Sequence, residues 1–198
     1  VERVAEGLWK VPDDLAEQGR RYDAQRLGGV AVELKSHLPI ERQARVIGAT
    51  WLDQQLIGGG KGLGDLGFGS EAKQAIQQRA DFLAEQGLAE RRGQRVILAR
   101  NLLGTLRNRE LAQATKDIAA KTGLEHRPVA DGQRVAGIYR RSVMLASGRY
   151  AMLDDGMGFS LVPWKPVIEQ RMGQQLAATV RGGAVSWEIG RHRGPTIS

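Results

Sequence analysis

Arg91, Arg92, Arg95, Arg100, Arg107 and Arg109 crowd a short stretch in which the acidic residues, Glu90 and Glu110, stand only at the edges. Guanidinium groups stay charged at every physiological pH and match phosphate oxygens in a fork geometry. Their chemistry is therefore capture of a polyanion, with release of its condensed counterions, and not bond breaking. Arg140, Arg141 and Arg149 extend the basic set into a later segment, followed by Lys165, Arg171, Arg181, Arg191 and Arg193. The first nine arginines are the candidate DNA-binding residues. Trp51, Trp164 and Trp187 could stack on unpaired bases, although the same spacing suits core packing.

Residue types that break bonds do not converge. His37, His126 and His192 lie in separate segments, whereas metal sites usually place two ligands within a few residues on one element. The chain has no Cys, which removes thiol catalysis, thiolate metal sites and disulfides. Asp154 and Asp155 are adjacent, point to opposite faces if in a strand, and stand before Gly156 as turn residues do. Ser142, Ser147 and Ser160 lack a nucleophile-elbow pattern. Across residues 58–69 the glycine-dense run places Gly62, not Ser or Thr, after Lys61, so it fails as a phosphate-binding P-loop. The expectation is no catalytic residue, no metal and no cofactor.

The elements that must position the arginines follow from punctuation and periodicity. Residues 1–26 read as a strand–turn–strand around Gly7, with a short helix from Leu15, the end of a wing-like module. A second region, 27–125, opens with strands at 29–34 and 45–47 and continues through the glycine loop. Ser70 is placed to cap a helix to about Gln86, with Ile76, Ala80 and Leu83 at core spacing and Gly87 as its stop. The Arg92-Gly93 turn leads to a strand at 95–98. Asn101 then caps a long helix with the stripe Leu102, Leu103, Leu106, Leu111, Ala114 and Ile118, ended by Gly123.

From Gln133 the apolar period changes to two. Strands are expected at 135–145, 149–154 and 159–162, a short helix at 167–176, and two last strands at 177–180 and 184–189. Residues 126–198 thus form a third, antiparallel β region with a basic tail. The fold class is α+β: a winged-helix-like helical part with small sheets, then mostly antiparallel β structure for which a small barrel is one available form.

The formal net charge of +7 agrees with a polyanionic partner, while 41% hydrophobic and 26% charged residues suit an ordinary folded domain. No apolar run is long enough to span a bilayer, and the start has neither the basic nor the apolar part of a signal peptide. No membrane partner and a cytoplasmic location are expected. The first residue is Val, within an apparent strand, so the chain reads as part of a longer one.

Three groups of residues carry a resemblance. One is Gly48-Ala49-Thr50-Trp51-Leu52-Asp53 with Gly67-Phe68-Gly69. A second is Gln86-Gly87-Leu88-Ala89-Glu90 leading to Arg100-Asn101-Leu102-Leu103-Gly104-Thr105-Leu106-Arg107-Asn108-Arg109-Glu110-Leu111. The third is Tyr139-Arg140-Arg141, Leu145-Ala146-Ser147-Gly148-Arg149-Tyr150-Ala151 and Phe159-Ser160-Leu161-Val162-Pro163-Trp164-Lys165-Pro166. Together, in order over about residues 1–195, these resemble the C-terminal domain of large conjugative relaxase/mobilisation nucleases of proteobacterial plasmids and integrative elements. In that family a separate N-terminal domain nicks the transfer origin, using a tyrosine and a histidine-bound metal. Tyr22, Tyr139 and Tyr150 match no such motif. The resemblance implies a non-catalytic accessory role, holding DNA near the transfer origin or docking relaxosome and type IV secretion coupling proteins.

Overall fold

A computed structural model describes residues 2–5, 8–10, 36–65 and 67–189. Packing divides the chain into two units, Val1–Pro39 and Ile40–Ser198. In the first, β1 (Glu2–Ala5) pairs antiparallel with β2 (Leu8–Lys10), Glu2 opposite Lys10 and Arg3 opposite Trp9. The helix expected from Leu15 and the strand expected at 29–34 lie outside the described residues, as does the tail from residue 190. The boundary read near residue 126 falls within the second unit.

The second unit is α+β, as its periodicities imply. It opens with α1 (Ile40–Gln43), α2 (Trp51–Gly58) and α3 (Phe68–Glu85). The strand expected at 45–47 does not form. Those residues are irregular, and the Val46 carbonyl turns inward to a buried side chain of α3, described below. The end of α3 is a Schellman motif: Leu88 N–H donates to Leu83 O at 2.8 Å and Gly87 N–H to Ala84 O at 3.0 Å. Leu83 and Leu88 then sit in one buried cluster, the apolar contact that usually accompanies this cap.

A hairpin follows, β3 (Ala89–Arg92) against β4 (Arg95–Leu98), with Arg92 opposite Arg95. Only β4 is apparent from the sequence, because β3 reads Ala-Glu-Arg-Arg and has no apolar alternation. Gly93, at φ +61°, takes the first loop position, where a two-residue hairpin requires a backbone that glycine adopts freely. Next comes α4 (Leu102–Thr122). Asn101 precedes it in the left-handed region (φ 54°) and its side chain makes no cap hydrogen bond, contrary to expectation; its backbone carbonyl accepts from Thr105 N–H.

The β region is one six-stranded sheet in the order β10–β9–β6–β7–β8–β5. Its members are β5 (Glu125–His126), β6 (Arg134–Leu145), β7 (Gly148–Asp154), β8 (Gly158–Pro163), β9 (Gln175–Arg181) and β10 (Ala184–Glu188). All pairings are antiparallel except β5 with β8. The sheet does not close into a barrel. Its ends are β10, hydrogen-bonded to β9, and the two-residue β5, and these do not pair with each other. The helix expected at 167–176 is also replaced, by a single 3₁₀ turn, Pro166–Ile168. Beyond it the chain already runs beside β6, with Tyr139 N–H donating to Gln174 O and Gly173 N–H to Tyr139 O.

Both faces of the sheet centre are covered. On one, Tyr150, Met152, Phe159 and Leu161 pack with Ile118 of α4. On the other, Tyr139, Ala151, Leu153, Val162, Ile168, Leu176, Ala178 and Val185 form the larger core. At its N-terminal end α4 contributes Leu102 and Leu106 to the cluster holding Leu83 and Leu88. One helix therefore serves the hairpin side and the sheet side. No helix among the described residues is long and apolar enough to cross a membrane.

Candidate nucleic-acid interface

Helix α3, to which Arg91 ties the basic hairpin, is fixed by a buried ionic knot. Arg79 of α3 is 0% exposed, and so is Asp53 of α2. Arg79 Nε donates to Asp53 Oδ1 at 2.8 Å and Nη2 to Oδ2 at 2.9 Å. The remaining donors meet the carbonyls of Gln43 (3.1 Å), Val46 (2.7 Å) and Gly48 (2.7 Å), so all five N–H groups are used. Asp53 Oδ2 also accepts Thr50 N–H and Oγ1–H, which closes a capping box at the start of α2. The guanidinium lies over the Phe82 ring at 5.3 Å. A buried charge left unpaired is costly, and full satisfaction is what lets this pair fix α2, the 43–50 segment and α3 in one geometry.

A second anchor is Glu110 of α4, also buried. Its carboxylate accepts from the backbone N–H groups of Ala146 and Ser147, the latter at 3.0 Å, and from the Ser147 hydroxyl, gripping the β6–β7 turn. Tyr150 lies nearby, and burial chiefly pushes its hydroxyl above the ordinary tyrosine value.

The nine candidate arginines separate by what already holds them. Arg91 pairs with Asp81 at 2.7 Å and donates to Gln77 Oε1 at 3.3 Å, so it clamps β3 to α3. Arg92 pairs with Glu90 at 2.9 Å across its own strand. Arg140 pairs with Asp154 at 2.9 Å. Arg149 pairs with Glu169 at 2.9 Å and lies over the Trp164 ring at 3.9 Å. Arg109 donates to Gln86 O at 3.3 Å. Arg95, Arg100, Arg107 and Arg141 have no acidic partner among the described residues. Arg95 and Arg100, at the start and just past the end of β4, and Arg141 of β6 are exposed as well as unpartnered, so all three are free to take a phosphate. Arg107 is half-buried on α4, with Nη1 close to Gly183.

Arg140 and Arg141 are both exposed although they are neighbours in a strand. A bulge explains it: Tyr139 opposes Leu153 and Arg141 opposes Met152, leaving Arg140 as the extra residue. The arginines of β6 and β7 thus belong to the sheet and those of 91–100 to the hairpin, two separate basic areas of the same unit.

The remaining sequence candidates resolve as packing or turn chemistry. Asp154 Oδ1 accepts Gly156 N–H, and Asp155 Oδ1 accepts the N–H groups of Met157 and Gly158. The Gly156 amide first, and then Arg140, hold the Asp154 carboxyl below its ordinary value. His126 packs on Phe159 with ring centroids 5.3 Å apart, and burial lowers its proton affinity. Trp51, Trp164 and Trp187 each pack against a core cluster. Among the described residues no group of three or more His, Asp or Glu comes together.

Two features escaped the sequence reading. One is the Arg79–Asp53 knot, since a lone Arg in a helix gives no sign of burial. The other is the exposed face of α3, which carries Ser70, Lys73, Gln74, Gln77 and Gln78.

A family model described as "Protein of unknown function (DUF3363)" matches residues 1–196. The chain belongs to that family. No curated protein and no solved structure matches it. Within this DUF3363 chain the hairpin and both anchors lie inside the matched region.

Proposed function

We propose that the chain is a non-catalytic, cytoplasmic accessory domain of a conjugative relaxase, binding DNA near the transfer origin during plasmid or element mobilisation. The observation that carries this reading is the pair Arg95 and Arg100, exposed at the start and just past the end of β4 with no acidic partner among the described residues. Exposed guanidiniums with no internal partner can pair with phosphates and release condensed counterions without first breaking an ion pair. The relaxase context comes from the sequence resemblance. The test is titration of labelled single- and double-stranded transfer-origin DNA at low and moderate salt. Binding should weaken steeply as salt rises, by the number of phosphates neutralised. Absence of binding at low salt, or binding indifferent to salt, refutes the proposal.

A second reading, a protein-interaction or secretion-signal module recognised by the type IV secretion coupling machinery, is favoured by one observation. An apolar groove of about 540 Å³ lies between α2, β4 and the start of α4, lined by Leu56, Ile57, Val96, Leu98, Leu102 and Leu103. Apolar concavities of this kind suit a protein partner better than a phosphate backbone. Ile57→Asp or Val96→Asp in the parent protein, leaving transfer intact in cells, would count against docking in this groove.

A further inference from the structure

We propose that the solvent face of α3 is a base-reading surface for the major groove of duplex DNA, with Ser70, Gln74 and Gln77 as its reading residues; this rests on the DNA-binding reading above. The inner face of α3 is fully committed, through Ala72, Ala75, Ile76, Arg79, Ala80, Phe82 and Leu83. From Ser70 to Glu85 the exposed residues are all polar, and Ser70, Gln74 and Gln77 are spaced to form one stripe among them. Surface helices usually mix charged pairs there. Here the two middle positions of the stripe are neutral amides, which both donate and accept, as base edges do.

The surrounding charges are already spoken for on one side. Asp81, the next residue of the stripe, is held by Arg91, and Glu85 by Arg45 at 3.1 Å. Lys73 at the margin is paired with Asp65. Glu71, also marginal, has no partner among the described residues. The Arg91 clamp sets the basic hairpin directly beside this face. Arg95, opposite Arg92 in the register, lies on the hairpin face away from Arg91, so it would meet backbone phosphate only beyond the part of a duplex seated on α3.

The hydrogen bonding of the two glutamines differs and so should their partners. Gln77 Oε1 already accepts from Arg91, which leaves its amide N–H groups to donate, and the matching base groups are acceptors such as guanine O6 or thymine O4. Gln74 has no partner among the described residues and keeps both functions, the pattern that pairs with adenine N6 and N7. From Ser70 to Gln77 the helix rises about 10 Å, enough to span roughly three base-pair steps.

The experiment enriches a pool of random-sequence duplexes on the 198-residue chain. Binding of the enriched duplex and of a scrambled duplex is then compared for the parent, Gln74→Ala, Gln77→Ala and Arg95→Ala, with helicity checked by circular dichroism. For the parent, the enriched duplex should bind at least about tenfold more tightly than the scrambled one. The glutamine variants should lose most of that preference while keeping scrambled-duplex affinity. Arg95→Ala should weaken both duplexes about equally. A preference that survives both glutamine changes, or an enriched duplex no better than a scrambled one, overturns this inference and leaves DNA binding standing. Failure to bind any duplex or single strand at low salt overturns the DNA reading itself.

Discussion

The Arg79 guanidinium and the Asp53 carboxylate meet side by side, with hydrogen bonds of 2.8 and 2.9 Å, where neither residue has any solvent exposure. Arg79 also holds three carbonyls of the 43–48 segment, so one side chain stands in for the strand pairing that segment lacks. Lys could supply the charge but not five donors in a plane.

Removing one partner of this knot should be severe. Arg79→Ala or Asp53→Ala is expected to cost about 3–5 kcal/mol, because each leaves a buried charge and orphaned polar groups. Arg79→Lys should recover only part of the loss. Urea unfolding measures this, and a change below about 1 kcal/mol for Arg79→Ala would mean the pair holds nothing.

Gly48 should tolerate no side chain. Its φ is +146°, and a Cβ placed there would lie 2.6 Å from the Glu110 carboxyl carbon. Gly48→Ala therefore combines backbone strain with displacement of the Glu110 grip, a loss of about 1–3 kcal/mol. Glu110→Gln removes the charge-assisted bonds to residues 146 and 147 without the steric clash. The two variants should couple in a double-mutant cycle, whereas additive effects would separate Gly48 from the Glu110 grip.

Arginines without acidic partners should matter more for DNA than those already paired. Arg95→Ala and Arg100→Ala should each reduce the slope of log affinity against log salt by about one. Arg92→Ala and Arg140→Ala should change it less, since Glu90 and Asp154 already hold those side chains. Equal effects from all four would show that internal pairing does not sort the interface.

Asp154 gives an acid-dependent contribution to stability. The Gly156 amide and Arg140 lower its folded-state proton affinity from an ordinary value of 3.8. The contribution is therefore complete above that value and disappears as pH falls through the lower, folded-state value. Asp154→Asn should be destabilising at pH 7, and the gap from the parent should narrow on acidification. A gap that stayed constant from pH 7 to pH 2 would contradict this assignment.

The long elements were legible because their periodicities are strong. Ile76, Ala80 and Leu83 mark α3, Leu102, Leu106 and Ile118 mark α4, and the alternation after Gln133 marks the sheet strands. Short polar elements were not: β3 is mostly exposed and charged, and β5 is two residues long. The expected helix at 167–176 failed because Leu176, apolar at a helix-compatible spacing, belongs to the sheet core. The arginine cluster was visible as composition, but the acids paired with several of them lie elsewhere in sequence. Asp81 and Glu169 become partners only through folding. Likewise the base-facing candidates on α3 look like ordinary helix surface until the buried side is known.

Helix α4 is shared between two apolar clusters, Leu102 and Leu106 in one and Ile118 in the other. A rod of about 31 Å that belongs to both cannot melt for one and persist for the other. Residues 40–189 should accordingly lose structure in a single cooperative step, with hairpin and sheet amides sharing one slowest exchange rate. A load applied to the hairpin by a bound strand would then be borne by the sheet as well.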